Sequence, residues 1–393
     1  MLLSKIRSHL FVMLATATAL LAGGMFASPG LTSTAPSRHS HALVSAAAPV
    51  APGVTRTYFI AAEEVLWDYA PDDTNVVAGR SFNEDENVFV QNGPTRIGDT
   101  YRKAVYHRYT DASFRTRAPV KDQGLGLLGP VIRAQVGDTI KVVFKNNLTI
   151  PASVHPHGVF YTKSSEGAPY NDGTAGSDKA DDAVQPGRTY TYTWQVPERA
   201  GPGPMDGSSI LWMYHSHADE IADTNAGLVG PMVITRKGSA RADGSPVDVD
   251  REVFSFFSVL NENESPYLDQ NLAEIAQPPY EVDPSDEEAF EESNLMHAVN
   301  GYVYGNGPTV TVRKGQRVRW YNFTLGTEVD LHTPHWHGNT ATVMGMRTDM
   351  AHLLPGDMMV ADLQPDDVGT WLFHCHVNDH IAAGMITRYK VTG

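Results

Sequence analysis

Trp371-Leu-Phe-His-Cys-His-Val-Asn-Asp-His380, closed by Met385, is the stretch from which the rest of the sequence is read. The chain's only cysteine, Cys375, stands between His374 and His376, with His380 and Met385 five and ten residues further on. A thiolate, an imidazole and a thioether make the soft nitrogen and sulfur donor set that suits a blue copper site. In an extended segment successive side chains point to opposite faces. Cys375 is therefore expected to face one metal while His374 and His376 face another, so that one strand joins two metal sites.

Working outward, ten of the sixteen histidines fall in four clusters: His155-Pro-His157-Gly, His215-Ser-His217, His332-Thr-Pro-His335-Trp-His337-Gly, and His374, His376 and His380 around Cys375. Imidazole is a ligand for copper, zinc or iron. Four such clusters, one built on the sole cysteine, are a poor match to chance. His39 and His41 lie in an Ala-, Ser-, Thr- and Pro-rich stretch and read as solvated residues of a tether.

The clusters sit in a chain of short β-rich runs separated by Gly, Pro, Asp and Asn, which predicts an all-β architecture of sandwiches. Expected strands are 56–61, 104–109, 139–144, 189–194 and 230–235 in a first domain, residues 54–238. In a second domain, residues 251–393, they are 252–259, 309–312, 317–322, 349–354, 359–362 and 370–373. Residues 239–250 read as the linker. Ala134-Gln-Val-Gly-Asp-Thr-Ile-Lys-Val142 precedes His155-Pro-His-Gly158 as Val312-Arg-Lys-Gly-Gln-Arg-Val-Arg-Trp320 precedes His335-Trp-His-Gly338, an internal repeat of one sandwich. The acidic run from Glu281 to Glu292 is expected to be an exposed loop or short helical turn.

With 393 residues, 41% of them hydrophobic, the chain can bury two cores, and a disordered chain would not have this composition. A net charge of -15 argues against nucleic acid as a partner. A single cysteine rules out an intrachain disulfide, so stability has to come from packing, metal or neighbouring subunits. Lys5 and Arg7 before the apolar run Leu10–Ala22, with small residues at Ala27 and Ser28, read as a signal peptide over 1–27 and a leader over 28–53. An uncleaved anchor is the alternative. No later run is long and apolar enough to span a bilayer, so an exported protein, periplasmic, cell-surface or extracellular, is expected.

The sequence resembles the multicopper oxidases, nearest to their ceruloplasmin and hephaestin branch. The resemblance is carried by Val154-His-Pro-His-Gly-Val159, Tyr192-Thr-Trp-Gln-Val-Pro-Glu-Arg-Ala-Gly-Pro-Gly-Pro204, Gly227-Leu-Val-Gly-Pro231, Glu292-Ser-Asn-Leu-Met-His-Ala-Val-Asn-Gly301 and His374-Cys-His-Val-Asn-Asp-His380. It implies two tandem cupredoxin-like Greek-key β-sandwich domains and four copper ions per chain. On this resemblance His332, Cys375, His380 and Met385 hold the blue copper. His155 and His335 hold the mononuclear member of a trinuclear cluster, and His157, His215, His217, His337, His374 and His376 hold its coupled pair. Similarity to two-domain laccases implies a head-to-tail homotrimer in which the first domain of one subunit meets the second domain of the next.

For the reductant, Glu292 and His297 keep the spacing of the iron site in ceruloplasmin-like ferroxidases, and Asp379 precedes the ligand His380. Carboxylate oxygens hold Fe2+ and favour the more charged Fe3+. The structural alternative is that Glu292 belongs to the acidic run, Asp379 bonds within its loop and His297 is a packed core residue. Laccase-type oxidation of phenols or aromatic amines would instead need an open groove, to which Trp336 and Met344 to Met346 could contribute. Met296, Met344, Met346 and Met350 raise cuprous oxidation. A copper nitrite reductase would carry its blue-copper cysteine in the first domain, and a simple copper carrier would not need eight further paired histidines. Glu166, Asp172 and Asp379 are candidate proton-relay acids.

Overall fold

The computed structural model describes residues 53–122, 124–276 and 289–393. The expected signal peptide, nearly all of the leader with His39 and His41, and residues 281–288 of the acidic run lie outside the described residues. Among those described, no helix is long and apolar enough to cross a membrane.

Two sandwiches of the same design follow one another. The first pairs a sheet ordered Thr100–Tyr109, Thr55–Asp68, Thr139–Asn146, Thr189–Gln195 with one ordered Ile132–Gln135, Val229–Thr235, Ser209–His215, His155–Pro156. The second pairs a six-stranded sheet, Leu295–Val299, Arg251–Asn261, Val318–Phe323, Met358–Leu363, Ala341–Val343, Met346–Thr348, with one ordered Val310–Arg313, Ile386–Thr392, Gly369–Cys375, Pro334–Trp336. The repeat extends to strand direction. Thr55–Asp68 runs parallel to Thr139–Asn146 as Arg251–Asn261 runs parallel to Val318–Phe323. It extends to register as well: His155 lies opposite His215 in the first domain, and His335 lies opposite His374 in the second.

Alternation along these strands puts one face in each core. The strand Thr139–Asn146 buries Ile140, Val142 and Phe144, while Lys141 points to solvent. A further core is shared between the sandwiches: Tyr101, Leu127, Leu211 and Val233 of the first pack in one cluster with Phe254, Phe256, Met296 and Tyr321 of the second. The segment expected to link them is tied down, with Arg56 Nη1 donating to Ala242 O at 3.0 Å and Thr235 Oγ1 to Gly244 O at 3.0 Å.

One expected strand does not form. Residues 349–354 make only isolated bridges, Met350 to His335 and Leu353 to His332. The partner segment contains Pro334, which accepts from Ala351 N but has no N–H to return. The ladder is interrupted there, beside the segment that carries His332, His335 and His337.

Candidate metal centres

The strand Gly369–Cys375 delivers His374 and Cys375 as buried neighbours, and His376 follows on the exposed side of the loop. Cys375 Sγ lies 3.8 Å from His332 Nδ1 and 3.6 Å from His380 Nδ1, and the two imidazole nitrogens are 3.1 Å apart. Met385 is fully buried in the same core cluster as Cys375, and its carbonyl accepts from Cys375 N at 3.1 Å. Burial works against the Cys375 thiolate, but its contacts with the His332 and His380 imidazoles outweigh it and pull the thiol down to about 6. The site therefore offers a thiolate at neutral pH.

On the other side of the strand the His374 and His376 rings are 5.6 Å apart, and they meet His335 at 5.4 Å each. His337 Nε2 is 3.0 Å from His374 Nε2. The first sandwich repeats this: His157 Nε2 is 3.1 Å from His215 Nε2, and His155 lies 5.2 Å, ring to ring, from His217. Backbone carbonyls hold the opposite nitrogens, since Nδ1 of His155, His215, His335 and His374 contacts the carbonyls of Glu166, Ser216, Asp349 and Cys375. A bond of this kind fixes an imidazole tautomer and leaves Nε2 as the free donor. Burial then keeps the rings uncharged, with His157 lowered to about 4 and His215 to about 3. His217 Nε2 lies 3.0 Å from a Glu220 carboxylate oxygen. Among the described residues no ring contact joins the first quartet to the second.

Each His-x-His-Gly corner needs its glycine. Gly158 and Gly338 have φ of +75° and +71°, and a Cβ would come within 2.2 Å of the Trp212 ring and 2.6 Å of the Trp371 ring. Those tryptophans sit three residues before His215 and His374, so the same indole buttresses each corner.

The proposed substrate residues are only partly assembled. His297 is buried with its ring 5.3 Å from His380, and Nδ1 contacts Leu295 O at 2.9 Å. Glu292, on the short helix Phe290–Ser293, and Asp379, on Asn378–Ala382, are exposed, and neither carboxylate has a hydrogen-bond or ion-pair partner among the described residues. Trp336 is buried and stacked on Phe373, so it cannot floor an open groove, whereas Met344 and Met346 are exposed. Met296 is fully buried core. Glu166 and Asp172 are ion-paired with Lys163.

Sequence reasoning missed Asp330. Its Oδ1 lies 3.1 Å from His332 Nε2, with both residues buried. The signal was the spacing, because residues two apart on an extended segment share a face.

Two family models, each described as Multicopper oxidase, match residues 122–239 and 276–393. The chain belongs to the multicopper oxidase family. It is 44% identical over 341 residues to human Ferroxidase HEPHL1, 41% over 343 to rat hephaestin and 43% over 342 to mouse ceruloplasmin. These alignments take in 86% of the chain but 29%, 30% and 32% of those proteins, so the chain spans about a third of the length of the curated relatives it matches. Among solved structures, the multicopper oxidase mgLAC aligns with a TM-score of 0.55 at 20% identity, covering 86% of this chain and 87% of that one. A copper nitrite reductase from Nitrosomonas europaea gives 0.54 at 17% identity, covering 86% and 94%. At such identities the likeness is one of fold, that of tandem cupredoxin-like domains.

Proposed function

We propose that this chain is a copper enzyme that oxidises Fe2+ at the expense of O2, with His332, Cys375, His380 and Met385 holding one copper and the two histidine quartets holding three. The observation that carries the reading is the run His374-Cys375-His376, where the strand Gly369–Cys375 passes into its loop. Two peptide links join the sulfur-containing donor set to a histidine quartet. The donors fit copper: a buried thiolate and two imidazole nitrogens converge at one point, and paired Nε2 atoms 3.0 and 3.1 Å apart converge at the others. Bound copper would supply one-electron oxidation of the reductant at the first site and four-electron reduction of O2 to water at the second.

The protein's part is to bind and to wire. His155 and His335 are assigned to the mononuclear member of the three-copper group, and His157, His215, His217, His337, His374 and His376 to its pair. Each quartet supplies half of that group, and a heterologous ring of three copies would set the first sandwich of one subunit against the second of the next. Glu292 and Asp379 offer carboxylates without a partner among the described residues for a hard cation, and His297 lies against His380 on the side where an electron would enter. Carboxylate ligation favours Fe3+ over Fe2+, so the residues that hold the substrate also assist its oxidation. The charged start and apolar run at the N-terminus support export.

The test is oxygen uptake by copper-loaded protein with Fe2+ and with a bulky phenol, in wild type and in Glu292→Ala and Asp379→Ala. Fe2+ turnover should fall at least about tenfold in either variant while phenol oxidation persists, the pattern of a lost substrate contact. Efficient phenol oxidation, with iron turnover indifferent to both substitutions, would make the protein a laccase.

A further inference from the structure

We propose that Asp330 is a positioning residue that fixes the tautomer and orientation of His332 and strengthens its donation to the metal. This inference rests on reading His332, Cys375 and His380 as a copper site. His332 Nδ1 faces His380 Nδ1 at 3.1 Å and Cys375 Sγ at 3.8 Å, and the opposite nitrogen, Nε2, meets Asp330 Oδ1 at 3.1 Å. A carboxylate only accepts hydrogen bonds, so the proton of the neutral ring sits on Nε2 and the Nδ1 lone pair is left for the metal side.

The carboxylate is itself held. Oδ1 accepts from Val259 N at 2.8 Å and Oδ2 from Thr327 N at 3.1 Å, while Asp330 N donates to Thr327 O at 2.9 Å. Gly326, with φ of +117°, lets the loop close around it, since a Cβ there would come within 2.0 Å of Asp330 Oδ2. Asp330 and His332 are each only 1% exposed, and His332 is the one side chain that bonds this carboxylate among the described residues. Among the described residues, the ion pair formed by this carboxylate is the one with His332.

The comparison within the molecule is direct. His155, His215, His335 and His374 are anchored by neutral backbone carbonyls, whereas His332 is anchored by a buried carboxylate. A negative charge behind an imidazole raises its basicity and stabilises the more positive oxidation state in front of it. Asp330 thus lowers the reduction potential of the Cys375 site and tightens its hold on oxidised copper.

Asp330→Asn keeps the size of the side chain and removes the charge. After copper loading the variant should still turn blue, with a reduction potential above that of wild type and copper lost to a competing chelator about 10–100-fold more readily. Thermal melting of the metal-free forms shows whether the variant folds. Independently of any variant, ¹⁵N-histidine spectra of wild type loaded with diamagnetic Cu(I) should show His332 bound through Nδ1, with a slowly exchanging proton on Nε2. Unchanged potential and copper retention in a folded, blue variant would overturn the inference, as would an unprotonated His332 Nε2. Wild-type protein that takes up copper without a blue thiolate band would overturn the site reading itself, and this inference with it.

Discussion

In the proposed function Cys375 carries more of the chemistry than any other residue. It is fully buried, lies within hydrogen-bonding reach of two imidazoles and accepts from Thr333 N at 3.5 Å. Those contacts favour the thiolate, and no oxygen donor reproduces its softness. Cys375→Ser should therefore leave the fold intact, abolish the blue band and lower bound copper by about one ion per chain. Visible absorption with metal analysis checks this, and a variant that stayed blue would remove Cys375 from the site. Its meeting with His332 and His380 was legible from sequence, because a lone cysteine between two histidines, with a third five residues on, points to one cluster of soft donors. Asp330 was passed over because an aspartate two residues before a histidine is common, and only burial of the pair gives it meaning.

At the scale of the element, the His-x-His-Gly corners carry the placement of the quartets. Gly338 is held at positive φ with the Trp371 ring against it. Gly338→Ala combines backbone strain with a clash and should cost on the order of 1–3 kcal/mol. His337 would be displaced with it, so copper content should fall while the blue band is retained. Denaturant melts and metal counts would show this, and a variant with full copper would separate the glycine from the site. The repeated Gly-Asp/Gln and His-x-His-Gly patterns revealed these corners and the duplication from sequence alone. Strand Ser209–His215 was harder to see. Its residues alternate between buried and partly covered, ending in three buried positions, so it lacks the apolar–polar alternation of a half-exposed strand. The expected strand at 349–354 failed for the opposite reason: its own sequence suits a strand, but Pro334 in its partner cannot complete the ladder.

Over the whole molecule, the two sandwiches are fastened by more than apolar packing. Lys103 of the first and Glu262 of the second form an ion pair with both side chains fully buried; Lys103 Nζ also donates to Asn225 O at 2.8 Å, and Tyr69 Oη donates to Glu262 at 2.5 Å. Burial disfavours both charges, lowering the pKa of Lys103 and raising that of Glu262, so each depends on the other. Lys103→Met should destabilise by about 3–5 kcal/mol, because it strands the carboxylate, while the double variant with Glu262→Leu should recover much of the loss. Urea titrations of the single and double variants test the coupling, and equal losses in both would deny it.

Assembly sets the last expectation at this scale. If the three-copper group forms between subunits, dilution below the dissociation range should reduce oxygen uptake per chain, with the blue absorbance per chain unchanged. Light scattering read alongside activity checks this, and full activity in a monomer would contradict the ring. The fold and the family could be read from the motifs, whereas the head-to-tail trimer was implied by resemblance alone, since each quartet lies within its own sandwich and the residues themselves hold no mark of a partner copy.

The most direct test of the account is the stoichiometry of the reaction. Copper-loaded protein should consume four Fe2+ for each O2, well above the uncatalysed rate at mildly acidic pH, with no peroxide released. Iron oxidation no faster than background, or peroxide accumulating with two Fe2+ consumed per O2, would contradict it.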